Sequence, residues 1–96
     1  MRKITKESID AFNSNETFSK SNTTVTVTDT TTVLLLHGNS IAYKDRATGK
    51  VKITNCGWDT PTTKERLNGL NGVAIQQRKG QWYLNGDLWD GSLIEI

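Results

Sequence analysis

The chain has 96 residues, 12 Lys and Arg against 10 Asp and Glu, and a formal net charge of +2. That balance argues against an acidic mimic of DNA and against a strongly basic, non-specific binder of nucleic acid. Hydrophobic residues make up only 34 %, and threonine, a strand former with a polar atom, fills part of the deficit. At this length one domain is expected, burying roughly two-thirds of its unfolded surface. The single cysteine, Cys56, excludes an internal disulfide and fits a reducing compartment. No apolar run approaches the ~20 residues of a membrane helix. The basic N-terminus leads into no apolar h-region, so no signal peptide is expected.

Residues 3–13 read as a short helix. Ile4, Ile9 and Phe12 fall near one stripe, while Lys3, Lys6, Glu7 and Asp10 fall mostly elsewhere. Asn13-Ser14-Asn15 ends it with turn residues, and Phe18 reads as a lone anchor in the following loop. Thr23–Thr28 alternates, with Val25 and Val27 on one face, as a half-buried strand does. Val33-Leu34-Leu35-Leu36 is a continuous apolar run, which predicts a strand covered on both faces. Gly38-Asn39 reads as a two-residue hairpin turn with glycine first. That turn would set Leu36 opposite Ile41 and Leu34 opposite Tyr43. A five-residue loop over Asp45–Gly49 would then set Tyr43 opposite Val51 and Ile41 opposite Ile53. One face would carry Leu34, Leu36, Ile41, Tyr43, Val51 and Ile53, and the three strands would form a β-meander.

The centre of the chain is the stretch from Gly57 to Leu70. Thr62 followed by Glu65 matches a capping box, with Pro61 just outside the helix. If Thr60 is the cap instead, Pro61 occupies the first helical position, which also suits it. Asn68, Gly69, Asn71 and Gly72 supply left-handed residues for the end, so the helix has about two turns. Leu67 and Leu70 share a face that docks onto a sheet. The helix start is dressed with Thr60, Thr62 and Thr63, has Lys64 and Arg66 close behind, and follows Trp58. Such a mouth is a seat for a phosphate or carboxylate; the plainer reading is a capped surface helix with solvated charges.

Beyond it, Val73, Ile75 and Gln77 alternate, Arg78-Lys79-Gly80 reads as a basic hairpin loop, and Gln81–Leu84 as the return strand. Asn85-Gly86 is a strong hairpin dipeptide that would bring Trp82 opposite Trp89. Ser92–Ile96 reads as a last edge strand. The whole is an α+β domain: a small antiparallel β-meander with a short N-terminal helix, a short central helix and a C-terminal β-hairpin.

Chemistry is sparse. His37 is the only histidine, and nothing in its spacing to Cys56 or Asp59 demands a catalytic set. One cysteine and one histidine fall short of a metal site. No glycine run matches a phosphate-binding loop. No catalytic residue, metal or cofactor is expected. Cys56 reads by default as a small buried thiol. Trp58, Trp82, Tyr83 and Trp89 suit base stacking between Lys64, Arg66, Arg78 and Lys79, a protein hot spot, or simply the core.

Several landmarks together resemble a family of small tailed-bacteriophage proteins. They are Met1-Arg2-Lys3-Ile4, Ser21-Asn22-Thr23, Leu36-His37-Gly38-Asn39 with Ile41-Ala42, Gly57-Trp58, Thr60, Thr62-Thr63-Lys64, Arg66-Leu67-Asn68 and Trp82–Gly86. The resemblance runs over nearly the whole chain and implies a source and a setting, the host cytoplasm, rather than a mechanism. The expected function is a non-enzymatic binding protein that inhibits or redirects a host or anti-phage defence protein. Its contact residues would be Trp58, Thr60, Thr62, Thr63, Lys64, Arg66, Arg78 and Lys79. The alternative is a small nucleic-acid-binding module that contacts phosphates through the 62–66 helix start and the 78–79 loop. A homodimer stays open, since a small sheet often completes its core that way.

Overall fold

The computed structural model describes residues 2–96. Its architecture is the expected α+β arrangement, built from two helices and two antiparallel sheets. Helix α1 spans Lys3–Asn13, and Thr5, Ser8, Ile9, Ala11 and Phe12 are its buried residues. Thr5, Ser8, Ile9 and Phe12 follow the i, i+3, i+4, i+7 spacing of one helical face. The stripe is thus rotated toward small polar residues, and Ile4 is only half-buried.

The larger sheet contains β1 (Phe18–Lys20), β2 (Thr23–Val27), β3 (Thr31–Leu36), β4 (Asn39–Asp45) and β5 (Val51–Ile53) in chain order, with β9 (Ile94–Glu95) added on the β5 edge. Phe18 is no lone anchor: it opens β1, pairs opposite Val25 and packs half-buried against the core. Strand β3 alternates rather than being covered on both sides. Thr32, Leu34 and Leu36 are buried, while Thr31, Val33 and Leu35 are half-buried. The reason is that α1 and α2 lie over one face, whereas Val33, Tyr43 and Lys52 form a row on the other.

The first hairpin is set one residue earlier than expected. Leu36 pairs with Asn39, so His37 and Gly38 form the turn, with φ of 52° and 79°. Two successive positive φ values characterise a type I′ turn, whose twist matches the strands. Leu35 then faces Ser40 but Leu34 faces Ala42, which makes Ile41 the extra residue of a β-bulge. The bulge buries both Ile41 and Ala42 and turns Tyr43 to the open face. The next register also shifts by one. The Asp45 N–H donates to the Lys50 carbonyl at 2.9 Å, Lys44 faces Val51 and Ala42 faces Ile53. Tyr43 and Val51 therefore do not belong to one row.

The smaller sheet joins β6 (Ile75–Arg78), β7 (Gln81–Leu84) and β8 (Asp87–Leu88). Lys79-Gly80 and Asn85-Gly86 make its turns, again with paired positive φ. The Trp89 N–H donates to the Trp82 carbonyl at 3.0 Å, and the two buried indoles lie 6.2 Å apart at 41°. The pairing expected from Asn85-Gly86 is present, and it serves the core. The chain then crosses to the first sheet at Gly91, whose carbonyl accepts from Asn55 N–H at 3.0 Å and from the Thr54 hydroxyl at 2.7 Å. A Cβ at Gly91 would overlap the Asn55 carboxamide. The C-terminal segment thereby anchors the loop that leads into α2.

Candidate functional site

Helix α2 spans Pro61–Leu67. Its cap is Thr60, whose hydroxyl accepts from Thr63 N–H at 3.2 Å and lies 3.0 Å from the Thr63 hydroxyl; Pro61 takes the first helical position. The Thr62–Glu65 capping box does not form. Glu65 faces α1, where its carboxylate accepts from the Thr5 hydroxyl at 2.5 and 2.7 Å and from Arg2 N–H at 3.3 Å. Thr60 thus caps the helix start, and Glu65 is spent on α1 rather than on the cap.

Arg66 corrects the sequence reading most sharply. It is fully buried, among the largest such side chains in the molecule. Its Nε donates to Thr23 Oγ1 at 3.0 Å, Nη1 to Thr5 Oγ1 at 2.7 Å and Nη2 to Asn22 Oδ1 at 3.5 Å. Glu65 supplies the nearby charge, Oε1 lying 3.7 Å from Nη1. Arg66 is a bolt between α1, α2 and β2, and no partner can reach it. Lys64 lies on a different side of α2, where its Nζ donates to Gln77 Oε1 on β6 at 3.2 Å. The next residue on that strand, Arg78, sits 6.0 Å from the Tyr83 ring, and Lys79 follows at the turn. Lys64 and Arg78 therefore meet β6 from opposite faces of the strand, and the three cations are not gathered into one patch.

Trp58, Thr60, Thr62 and Thr63 are brought together around a cavity of about 230 Å³. Its floor is Leu36 and Ile41, and its remaining walls are His37, Asn39 and Asn55. Local chain chemistry explains the arrangement. Asn55 Oδ1 accepts from Gly57 N–H at 2.8 Å, and its carbonyl accepts from Trp58 N–H at 2.8 Å. Between them Cys56 and Gly57 take positive φ, 55° and 81°. This side-chain-closed turn throws Trp58 outward, leaving it 56 % exposed at the cavity mouth. Asn55 itself is buried, and it also borders a shallower cleft that Asp59, Trp82 and Trp89 help to line.

His37, Asn39 and Asn55 were not among the residues expected at the site. The Asn-x-Gly spacing before Trp58 is the signal that points to Asn55. His37 and Asn39 arrive through the type I′ turn, which depends on a register the sequence reading set one residue late. Cys56 is exposed rather than buried. Its thiol donates to the Ser40 carbonyl at 2.8 Å, and local desolvation pushes its pKa above the ordinary thiol value. Both effects hold it as a thiol, which opposes nucleophilic use.

A broader basin of about 870 Å³ lies on the other side of the large sheet, beside Tyr43. Arg46, Lys50 and Lys52 are offset there by Asp29, Asp45 and Glu95, so it offers neither an apolar floor nor a field of one sign. Among the described residues no group of His, Cys, Asp and Glu is placed to hold a metal ion, and no helix is long and apolar enough to cross a membrane.

No curated protein and no solved structure matches the chain. The family model described as Kyanoviridae Gp96 protein matches residues 1–94. The bacteriophage resemblance read from the scattered landmarks therefore has a definite address: the chain belongs to the Kyanoviridae Gp96 family of phage proteins.

Proposed function

We propose that this Gp96-family protein is a non-enzymatic binding protein, made in the host cytoplasm during infection, that inhibits or redirects a host protein or an anti-phage defence protein. The observation that carries this reading is Trp58, more than half exposed beside a cavity floored by Leu36 and Ile41. A tryptophan held outward by a hydrogen-bonded turn loses little freedom on docking, and such anchors dominate protein interfaces.

Nucleic acid is the second reading, favoured by Arg78 over the Tyr83 ring with Lys79 at the adjoining turn. The burial of Arg66 removes one of the four cations it relied on. The test is affinity capture from host lysate, with and without nuclease, by wild type and Trp58→Ala. A protein retained by wild type after nuclease and lost at least about thirty-fold with the variant is the expected result. Capture that disappears with nuclease, or a folded protein that retains nothing, overturns the protein-docking reading. Binding that weakens steeply with salt would instead support the nucleic-acid reading.

A further inference from the structure

The large sheet ends in two edges, and only one of them is guarded. At the β1 edge Ser19 and Lys20 are exposed, and Lys20 Nζ lies 3.2 Å from Glu7 Oε1. Lysine on an edge is a common defence against strand addition. The β9 edge reads Leu93-Ile94-Glu95-Ile96, with no lysine or proline, and among the described residues no strand lies beyond it. Ile96 N–H donates to the Val51 carbonyl at 2.9 Å, and Ile94 pairs with Ile53. Backbone groups alternate in an antiparallel ladder, so those of Leu93 and Glu95 point away from β5. Side chains alternate as well. Ile94 and Ile96 lie on the core side with Ile53, and Leu93 and Glu95 on the other. Both sides are bare: Leu93 is 56 % exposed, Ile94 42 % and Ile96 39 %. Ile94 and Ile96 also share a groove with Leu88, which is exposed on the free edge of the small sheet. Together these four side chains expose roughly 400 Å², in the size range of functional apolar patches on monomers.

Charge and register select the occupant. Lys52 is the cross-strand neighbour of Glu95, so the edge carries little net charge and no electrostatic preference for a foreign strand. Across an antiparallel twofold, by contrast, the edge is its own complement. Setting Glu95 on Glu95 would oppose like charges, and setting Leu93 on Leu93 would use only one of the two outward residues in each copy. Setting Leu93 opposite Glu95 of the second copy uses both, exchanges backbone bonds at two pairs and opposes no like charges. It also stacks Ile94 on Ile94 of the second copy, on the side where Leu88 lies. We propose that the protein forms a twofold homodimer through β9 in this register, which joins the two large sheets into one. The groove beside β9 shares no lining residue with the cavity beside Trp58, so the dimer goes beyond the docking reading and presents that cavity twice.

Sedimentation of the full chain from about 1 to about 300 µM is expected to carry the mass from one chain toward two, since the apolar contact is small for a permanent dimer. Leu93→Glu opposes like charges at both pairs and is expected to weaken association about ten-fold or more. Leu93→Lys sets a lysine against Glu95 and is expected to stay within about three-fold of wild type, which also shows that the exposed position accepts a charge without unfolding. In a Cys56→Ser background treated with oxidised glutathione, Ile94→Cys is expected to give a disulfide-linked dimer, because facing residues of a non-hydrogen-bonded pair lie about 4.5 Å apart at Cα. Glu95→Cys, diagonal to its mate at about 7–8 Å, is expected to link poorly. A single-chain mass at every concentration overturns the proposal. So does association that Leu93→Glu and Leu93→Lys weaken alike, which marks a contact without register, or a Glu95→Cys link that outpaces Ile94→Cys. Capture through Trp58 can persist in a monomer, and a dimer can form without it, so the two readings fail separately.

Discussion

On one side of α2, Arg66, Glu65, Thr5, Thr23 and Asn22 bond to one another until little capacity is left. On the other side, His37, Asn39 and Thr62 line a cavity, and no side-chain hydrogen bond among the described residues engages them. The first cluster carries an arginine beside a glutamate, the second no Lys, Arg, Asp or Glu, and one short helix separates them. What divides them is the face on which each residue falls. Lys64 and Arg66 are two positions apart, so they cannot share a face of a helix. One therefore reaches β6 at the surface while the other enters the core. A polar cluster in sequence becomes structure or becomes site according to whether the fold closes over it.

The largest effect is expected where the capacity is spent. Arg66→Ala leaves Thr5, Thr23 and Asn22 without their donor and opens a void between the helices and β2. A loss of about 3 kcal/mol is expected in urea unfolding, with the m-value unchanged. A loss under about 1 kcal/mol would mean that the cluster is not a structural bolt, and the contrast with the cavity would collapse.

Gly91→Ala comes next and probes the join between the clusters and the C-terminal segment. Gly91 sits at φ +87°, where a side chain is strained, and its Cβ would occupy the space of the Asn55 carboxamide. About 2 kcal/mol of destabilisation is expected by thermal or urea melting. Because Asn55 must shift, its carboxamide NMR signals should move in Gly91→Ala, and unchanged signals would show that Asn55 is not held from behind.

Trp58→Ala should be the mirror image of Arg66→Ala. Its indole is mostly in water, so stability should change by no more than about 0.5 kcal/mol, while capture of a partner is lost. A large stability loss here would make Trp58 a core residue with an exposed edge, and the cavity would lose its claim as a site.

This contrast also sets what the chain could disclose before folding. Strands came through because alternation and paired turn residues are local; Asn85-Gly86 was enough to place Trp82 opposite Trp89. Helix α2 was located by Pro61 and the threonines, although two threonine caps competed and the glutamate of the apparent box was claimed by Thr5, 60 residues away. The hairpin at His37-Gly38 was displaced by one residue because Gly38-Asn39 and His37-Gly38 are both acceptable turns, and the bulge at Ile41 has no local signature. Half of the cavity, Trp58 with Thr60, Thr62 and Thr63, was legible because it is contiguous. The other half, His37, Asn39 and Asn55, depends on that register and on the Gly91 contact. The fate of Arg66 was illegible for the same reason: its partners lie on α1 and β2, and only the assembled fold brings them within reach.

The smallest effect concerns the anchor of the C-terminal segment rather than either cluster. Asp90 is exposed, and its Oδ1 accepts from Ser92 N–H at 3.0 Å, while the Ser92 carbonyl accepts from Trp89 Nε1 at 3.0 Å. The bond from the Ser92 backbone, and then that from its side chain, hold the Asp90 carboxyl below its ordinary value of 3.8. A carboxylate depressed on folding stabilises the fold fully above its ordinary pKa, and this contribution is lost as pH falls through the folded value. The difference in unfolding midpoint between wild type and Asp90→Asn should therefore be constant from about pH 7 to about pH 5 and should close below about pH 4. Since the carboxylate is fully in water, the gap should be small. A gap that persists unchanged in acid would mean that Asp90 acts through shape alone, and that the turn carrying Gly91 to Asn55 is set by Trp89 and the glycine without help from charge.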